Sequence, residues 1–295
     1  MDEFLSHWLG LREQADETAR SEVLTRAIAG SIRDGEPVSV LDLATGTGSN
    51  IRYLVDRLPG HQRWLAVDRS VALLAELRER MSSWGAARGY DVRTSADRCV
   101  IRGARLECEI ETRQINLGVL DDPAIFAGRH LVTASGLLDL VASQWLRALA
   151  SHCRAEGASV LFTITYNGRS SCVPTEPQDD IVRDRLNQHQ KTDKGLGGPA
   201  AGPQAVECAA GYFADAGYRV QREPSDWMLE PVQSDLQRML IEGWAEAATE
   251  MAPEHGSTIA RWRTRRLAHI AAARSRVVVG HDDLAAWLPR GQRSP

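Results

Sequence analysis

The stretch Val40-Leu-Asp-Leu-Ala-Thr-Gly-Thr-Gly-Ser-Asn50 carries an acid and two glycines at fixed spacing, Asp42-x-x-x-Gly46-x-Gly48. Val38, Val40, Leu41 and Leu43 before it read as a buried parallel strand, and Ile51, Leu54 and Val55 after it recur at helical spacing. A glycine turn between strand and helix lets the backbone come close to a ligand, while N–H groups of the helix's first turn can meet an anionic group. Asp68 closes the next apolar run, Trp64 to Val67. A carboxylate there can accept hydrogen bonds from two adjacent ribose hydroxyls, so the pair of features asks for a ligand that carries a nucleoside. A dinucleotide fingerprint would need a third small residue where Ile51 stands, which disfavours a nicotinamide cofactor.

A second set of residues suits proton transfer. His189 in the polar, glycine-rich segment Asn187 to Pro203 can take a proton, Asp193 can orient it, and Lys194 can hold a substrate anion. Tyr166 ends an apolar run, and strand ends line the ligand crevice of an α/β sheet. Trp8 and Arg12 lie on an N-terminal helical segment able to cover such a crevice. Asp139 stands among Leu137, Leu138 and Leu140, which reads as packing with one solvent-facing acid.

Composition narrows the classes. A net charge of −4 over 295 residues and a pI near 6.1 provide no global attraction to nucleic acid or anionic membrane. No apolar run reaches the roughly 18 to 20 residues of a membrane-spanning helix, and the acidic start Met-Asp-Glu-Phe lacks a basic targeting region, so a soluble cytoplasmic protein is expected. Cys99, Cys108, Cys153, Cys172 and Cys208 lie far apart without a zinc spacing, no carboxylate cluster demands a cation, and no metal is expected.

The elements that must position these residues alternate. Helical pattern covers 3–32 up to the breakers Gly35 and Pro37, a strand spans 38–43, and a helix spans 48–57. A strand at 64–68 precedes a helix capped by Ser70, with Leu73, Leu74, Leu77 and Met81 on one face. Leu106, Cys108 and Ile110 alternate with glutamates, the period of a half-buried strand, and a turn at Gly103 pairs it with 90–101. Strands at 130–135, 159–166 and 218–223 alternate with a helix capped by Ser143 and one entered near Pro203. This order argues for a doubly wound α/β sheet. Leu236, Met239, Leu240 and Trp244, then Ile259, Trp262, Leu267 and Ile270, form the stripes of a helical hairpin over 233–274. Arg261, Arg263, Arg265 and Arg266 on it read as a solvated face rather than a nucleic-acid patch.

With the glycine turn, Asp68 and this order in place, the chain resembles the class I, Rossmann-like S-adenosylmethionine-dependent methyltransferases over residues 36 to 168 and again at its end. The resemblance implies an α/β doubly wound seven-stranded sheet, mostly parallel with an antiparallel last strand (Val277 to Val279) slotted between the fifth and sixth, and helices on both faces. It implies a 1–35 helical cap and a 36–295 catalytic domain, with a 169–202 substrate-side loop segment and the 233–274 insertion. S-adenosyl-L-methionine, leaving as S-adenosyl-L-homocysteine, would be held by Asp42, Ala44, Thr45, Gly46, Gly48, Asn50, Asp68 and Arg69, then by Asn116, Leu117, Ser135 and Gly136. Ala44 replaces a glycine usual in the family, which matters if that position needs a positive φ. Asn116 replaces an acid facing the adenine amine, a mild change since its carbonyl can accept. Leu137 would lie near the transferred methyl, with Trp8, Arg12 and Lys194 toward the substrate and His189, Tyr166 and Asp193 as candidate proton-handling groups.

In-line methyl transfer to an O, N or C nucleophile of a small molecule is the expected activity. The Asn/Asp-Pro-Pro-aromatic motif of nucleic-acid amine methylases is absent from Ser135 to Leu140, which lowers an RNA substrate. A nicotinamide-dependent oxidoreductase and a non-catalytic cofactor-binding module stand as alternatives. A homodimer through the helical hairpin is compatible with the sequence.

Overall fold

The computed structural model describes residues 2–32 and 37–289. The Gly35 breaker and the boundary expected at 35/36 lie outside the described residues. Two helices open the chain, α1 (Asp2–Ala19) and α2 (Glu22–Ser31). The single helix expected over 3–32 is therefore divided, because Ser21 turns extended and its hydroxyl caps α2 by accepting from the Leu24 N–H.

Strands and helices then follow as β1 (Val38–Leu43), α3 (Ser49–Val55), β2 (His61–Asp68) and α4 (Val71–Ala87). A hairpin of β3 (Asp91–Thr94) and β4 (Arg98–Gly103) leads into β5 (Leu106–Gln114). The alternation resumes with β6 (Leu131–Ser135), α5 (Ser143–Glu156) and β7 (Ser159–Val173). After α6 (Asp179–His189) and α7 (Ala205–Asp215) come β8 (Arg219–Pro224) and β9 (Trp227–Leu229). The chain finishes with the hairpin α8 (Ser234–Met251) and α9 (Gly256–Ala271), then β10 (Arg276–Trp287).

All ten strands form one sheet, in the order β3-β4-β5-β2-β1-β6-β7-β10-β8, with β9 pairing β10 off that path. Strands β5, β2, β1, β6 and β7 run parallel, with Val40 opposite Trp64 on one side and Leu131 on the other. The order reverses between β1 and β6, so a crevice opens beyond their carboxyl ends. The expected antiparallel strand between the fifth and sixth is β10, which pairs β7 and β8. It runs over twelve residues rather than the three from Val277 to Val279, because the polar His281, Asp282 and Asp283 pair within it. Seven strands become ten through the β3–β4 pair and the short β9.

Leu24, Ile51, Leu54, Leu77 and Met81 bury one face of the sheet under α2, α3 and α4. Leu146, Leu149 and Phe213 bury the other under α5 and α7. A third apolar group joins the helical hairpin and α6 to the far ends of β7 and β10 through Tyr166, Val182, Trp227, Trp244 and Trp262. The segment 169–202, expected as loop, is thus strand to Val173 and helix over α6. The cap of α5 also differs: Ala142 is its N-cap, and Ser143 is engaged with the Tyr212 hydroxyl at 2.6 Å.

The arginines of α9 mostly face acids of their own chain. Arg266 is fully buried and pairs with Asp179, Arg265 meets Glu176 at 2.6 Å, and Arg263 meets Glu242 at 2.9 Å.

One buried acid joins three parts of this fold. Asp283 sits at the second of two register shifts of β10, and its carboxylate accepts the Ser21 N–H and the Ile164 N–H, both at 2.8 Å. Ile164 holds φ 54°, a conformation that costs a β-branched residue about 1–2 kcal/mol. Asp283→Ala leaves two buried N–H groups without an acceptor, and chemical denaturation is expected to show a loss of about 2–5 kcal/mol.

Candidate functional site

The turn after β1 is built from behind by a buried hydrogen-bond chain. Asp42 is fully buried and accepts from the Thr45 hydroxyl at 2.5 Å and the Asn50 amide at 2.7 Å. That amide also reaches the Thr133 hydroxyl on β6 at 3.1 Å. Burial pushes the Asp42 carboxyl up to about 6 against those hydrogen bonds. Asp42, Thr45, Gly48 and Asn50 therefore shape the turn without lining a cavity. Gly48 holds φ 80°, and a Cβ on it would meet Leu77 Cγ at 2.8 Å, so glycine is required there. Ala44 holds φ 51°, the positive value in which alanine is strained.

What the turn presents is the backbone of Ala44 and Gly46, on a cavity of about 270 Å³ at the crevice between β1 and β6. Asp68, Arg69, Asn116, Leu117, Ser135 and Gly136 line it too, as do Leu137 and Lys194. The first turn of α3 does not line it, so the expected anion contact at that helix start is not part of the wall. Asp68 accepts the Gly46 N–H on one carboxylate oxygen and the Ser70 N–H on the other, each at 2.9 Å. Each oxygen retains a lone pair for a further donor. Asn116 Oδ1 accepts the Gly118 N–H at 2.9 Å and likewise keeps one lone pair.

Helix α1 roofs this cavity with Leu5, Trp8, Leu9 and Arg12, spaced i, i+3, i+4, i+7 on one face. Glu13 clamps it to Arg52 of α3 at 2.7 Å, and Ser6 donates to Glu76 of α4 at 2.7 Å. Arg12 stays in place through Asp16 at 3.0 Å and lies 5.1 Å from the Trp227 ring centre. A Cβ on Gly136, whose φ is +65°, would come within 2.8 Å of the Arg12 guanidinium.

Beyond Trp8, Arg12, Gly136 and Leu140, which both cavities share, lies a second space of about 220 Å³. Tyr166 lines it and donates its hydroxyl to Asn187 at 2.9 Å; burial pushes that phenol up, so it serves as a hydrogen-bonding group rather than a base. Asp139, Trp227, Trp244 and His281 complete its polar and aromatic wall. None of these four was expected at a site. Asp139, read as solvent-facing, is 6% exposed, because the turn after Gly136 folds it inward. Trp244 showed only as part of an apolar stripe, and His281 lies in a strand segment the apolar pattern missed. The one visible signal was a histidine beside two acids in an otherwise apolar terminal run.

His189 and Asp193 line neither cavity. His189 contacts Glu250 at 3.1 Å and Lys194 at 3.3 Å, and Asp193 accepts the Gly195 N–H at 2.7 Å. Burial lowers the Lys194 ammonium, which bonds the Thr192 hydroxyl at 2.9 Å. Among the described residues no group of three or more His, Cys, Asp or Glu side chains is arranged to hold a metal ion. Nor is any described helix long and apolar enough to cross a membrane.

No family model matches this chain, and no curated protein does. Among solved structures it is similar to the cyclopropane synthase MmaA2 from Mycobacterium tuberculosis, at 10% identity and a TM-score of 0.45, covering 89% of this chain and 82% of that one. It is similar to a SAM-dependent methyltransferase from Geobacter sulfurreducens in complex with S-adenosyl-L-homocysteine, at 15% identity and 0.43, covering 95% and 98%. A third is described as a sarcosine dimethylglycine methyltransferase from Galdieria sulphuraria, at 11% and 0.44, covering 92% and 83%. The functional reading stands on this chain's own residues.

Two substitutions probe the site's strain and charge. Ala44→Gly relieves the positive φ and is expected to raise stability by up to about 1 kcal/mol in denaturant melts. Burial raises Asp139 from 3.8 to about 6, against hydrogen bonds from its own N–H and that of Tyr166. The folded state then binds the proton more tightly than the unfolded state, so this carboxyl's contribution to stability falls as pH rises from about 4 through 6. Asp139→Asn removes that slope. Its stability relative to the parent protein is expected to grow across this window and level off near pH 7 at about 2–3 kcal/mol.

Proposed function

We propose that this chain is an S-adenosylmethionine-dependent methyltransferase acting on a small molecule, with the cofactor in the 270 Å³ cavity and the acceptor in its neighbour. The observation that carries the reading is Asp68. Its two oxygens, each held by one backbone N–H and each with a lone pair left, suit the two adjacent hydroxyls of a ribose. Asn116 and Leu117 would take the adenine end, and Ala44, Gly46, Ser135 and Gly136 the methionine end.

The cofactor would supply a methyl group on a sulfonium, open to in-line displacement. The chain's task is then to hold the acceptor atom about 3 to 3.5 Å from that carbon, on the line opposite sulfur. The wall common to both cavities, Gly136 and Leu140 with Trp8 and Arg12 above, supports such a meeting. The roof formed by α1 would keep water from the junction and must lift for exchange of ligands.

Calorimetric titration of the full chain tests this. S-adenosyl-L-homocysteine is expected to bind and NAD(P)H not to. Asp68→Ala should weaken the nucleoside by about thirtyfold or more, as expected for losing hydrogen bonds to a charged group, with the circular dichroism spectrum retained. Unchanged affinity in the folded variant, or tight binding of the pyridine dinucleotide, would overturn the reading.

A further inference from the structure

The second cavity has an unusual wall. Trp8, Trp227, Trp244 and Tyr166 present aromatic surface, and Ile164, Leu186, Leu240 and Val279 are apolar. Charged or polar side chains line it as well: Arg12, Asp139, Gln190 and His281, beside the Tyr166 hydroxyl. Arg12 is already matched, since Asp16 accepts from its Nε at 3.0 Å and itself holds the Trp227 indole N–H at 3.1 Å. His281 is 5% exposed, and burial with the nearby Arg12 lowers it to about 3, so the ring is neutral. Its Nδ1 is buried and makes no side-chain hydrogen bond among the described residues, while the Val279 backbone also acts on the ring. Asp139 forms no salt bridge among the described residues, although the Arg12 guanidinium lies near enough to favour its charged form. Lys194 acts on it more weakly, from the first cavity, and is drawn first toward Glu250.

A buried acid held at a stability cost, an uncharged imidazole and four aromatic side chains are together a receptor for one kind of head group. Aromatic faces attract cations through the ring quadrupole, most strongly when desolvated. A carboxylate pairs with an ammonium. A neutral imidazole nitrogen accepts an N–H. A carboxylate guest would meet Asp139 with like charge, and a plain hydrocarbon would leave both polar groups unmet.

We propose that the methyl acceptor is an amine carrying an apolar or aromatic body, bound in the second cavity as its ammonium, with Asp139 and His281 on the nitrogen. This rests on the methyltransferase reading above. Asp139 takes one proton from the ammonium, leaving a neutral amine and a carboxylic acid. The nitrogen lone pair then forms the N–CH3 bond as the CH3–S bond breaks, giving a methylated ammonium and a neutral thioether. Asp139 returns its proton to water when the product leaves.

The test uses the full chain saturated with S-adenosyl-L-homocysteine and reads the fluorescence of the cavity tryptophans. The probes are 2-phenylethylamine, its neutral counterpart 2-phenylethanol, and 3-phenylpropionate. The amine is expected to bind at least about tenfold more tightly than the alcohol, which is 1.4 kcal/mol of preference, and the carboxylate most weakly. Asp139→Asn should bring amine and alcohol within about twofold while the nucleoside affinity is kept, and Trp244→Leu should weaken the amine more than the alcohol. An alcohol or carboxylate that binds as well as the amine, no amine binding at millimolar concentration, or an amine preference that survives Asp139→Asn would overturn the proposal. In each of those cases binding of S-adenosyl-L-homocysteine would still stand, so the two readings fail separately.

Discussion

The carboxylate of Asp283 is the constraint on which the site's geometry depends. It is buried between β7 and β10 and receives one N–H from the start of α2 and one from Ile164. The first bond fixes where the N-terminal helices cross the sheet, and so where Trp8 and Arg12 come down over the crevice. The second holds β7 in its positive-φ kink, just before Tyr166 enters the second cavity. The acid stands two residues after His281, within the second of two shifts of register in β10. A regular strand would turn every second side chain the other way, so the bulges decide which face His281 and Asp283 occupy.

Charge is distributed unevenly over the crevice. In the first cavity, Asp68 uses backbone donors and keeps lone pairs at the surface of the cavity. In the second, Asp139 has its own N–H and that of Tyr166, with Arg12 and Lys194 acting on it from a distance. Burial works against both Asp42 and Asp139, yet the two answer it differently. Asp42 is surrounded by the Thr45 and Asn50 donors and is a brace of the turn. Asp139 faces open space, and a group kept at a stability cost beside a cavity is where ligand chemistry is expected.

The helical hairpin and the N-terminal helix extend the sheet's crevice into a pair of adjoining chambers. Trp244 of α8 and Trp227 of β9 reach the second chamber, with Trp227 tied to Asp16 of α1 and close to the His281 ring at 4.7 Å. Roof, hairpin and last strand thus meet on one set of rings. Movement of α1 would open both chambers at once, since Trp8 and Arg12 belong to each.

By itself the sequence determined the alternation of strands and helices from β1 to β7, the reversal that opens a crevice, and several residues that line the first cavity. These follow from local periodicity and from a glycine turn and an acid at strand ends, which chain connectivity alone carries to one edge of the sheet. Only the tertiary structure decided the second cavity. Trp8, Asp139, Tyr166, Trp227, Trp244 and His281 are separated by up to 273 positions in the chain and share no motif. Their meeting depends on the inward fold of the turn after Gly136, the bulges of β10 and the docking of the hairpin on β7. His189, legible as a titratable residue in a polar segment, was carried off to Glu250 by that same docking, because helix packing and not residue type sets which side chains face a cavity.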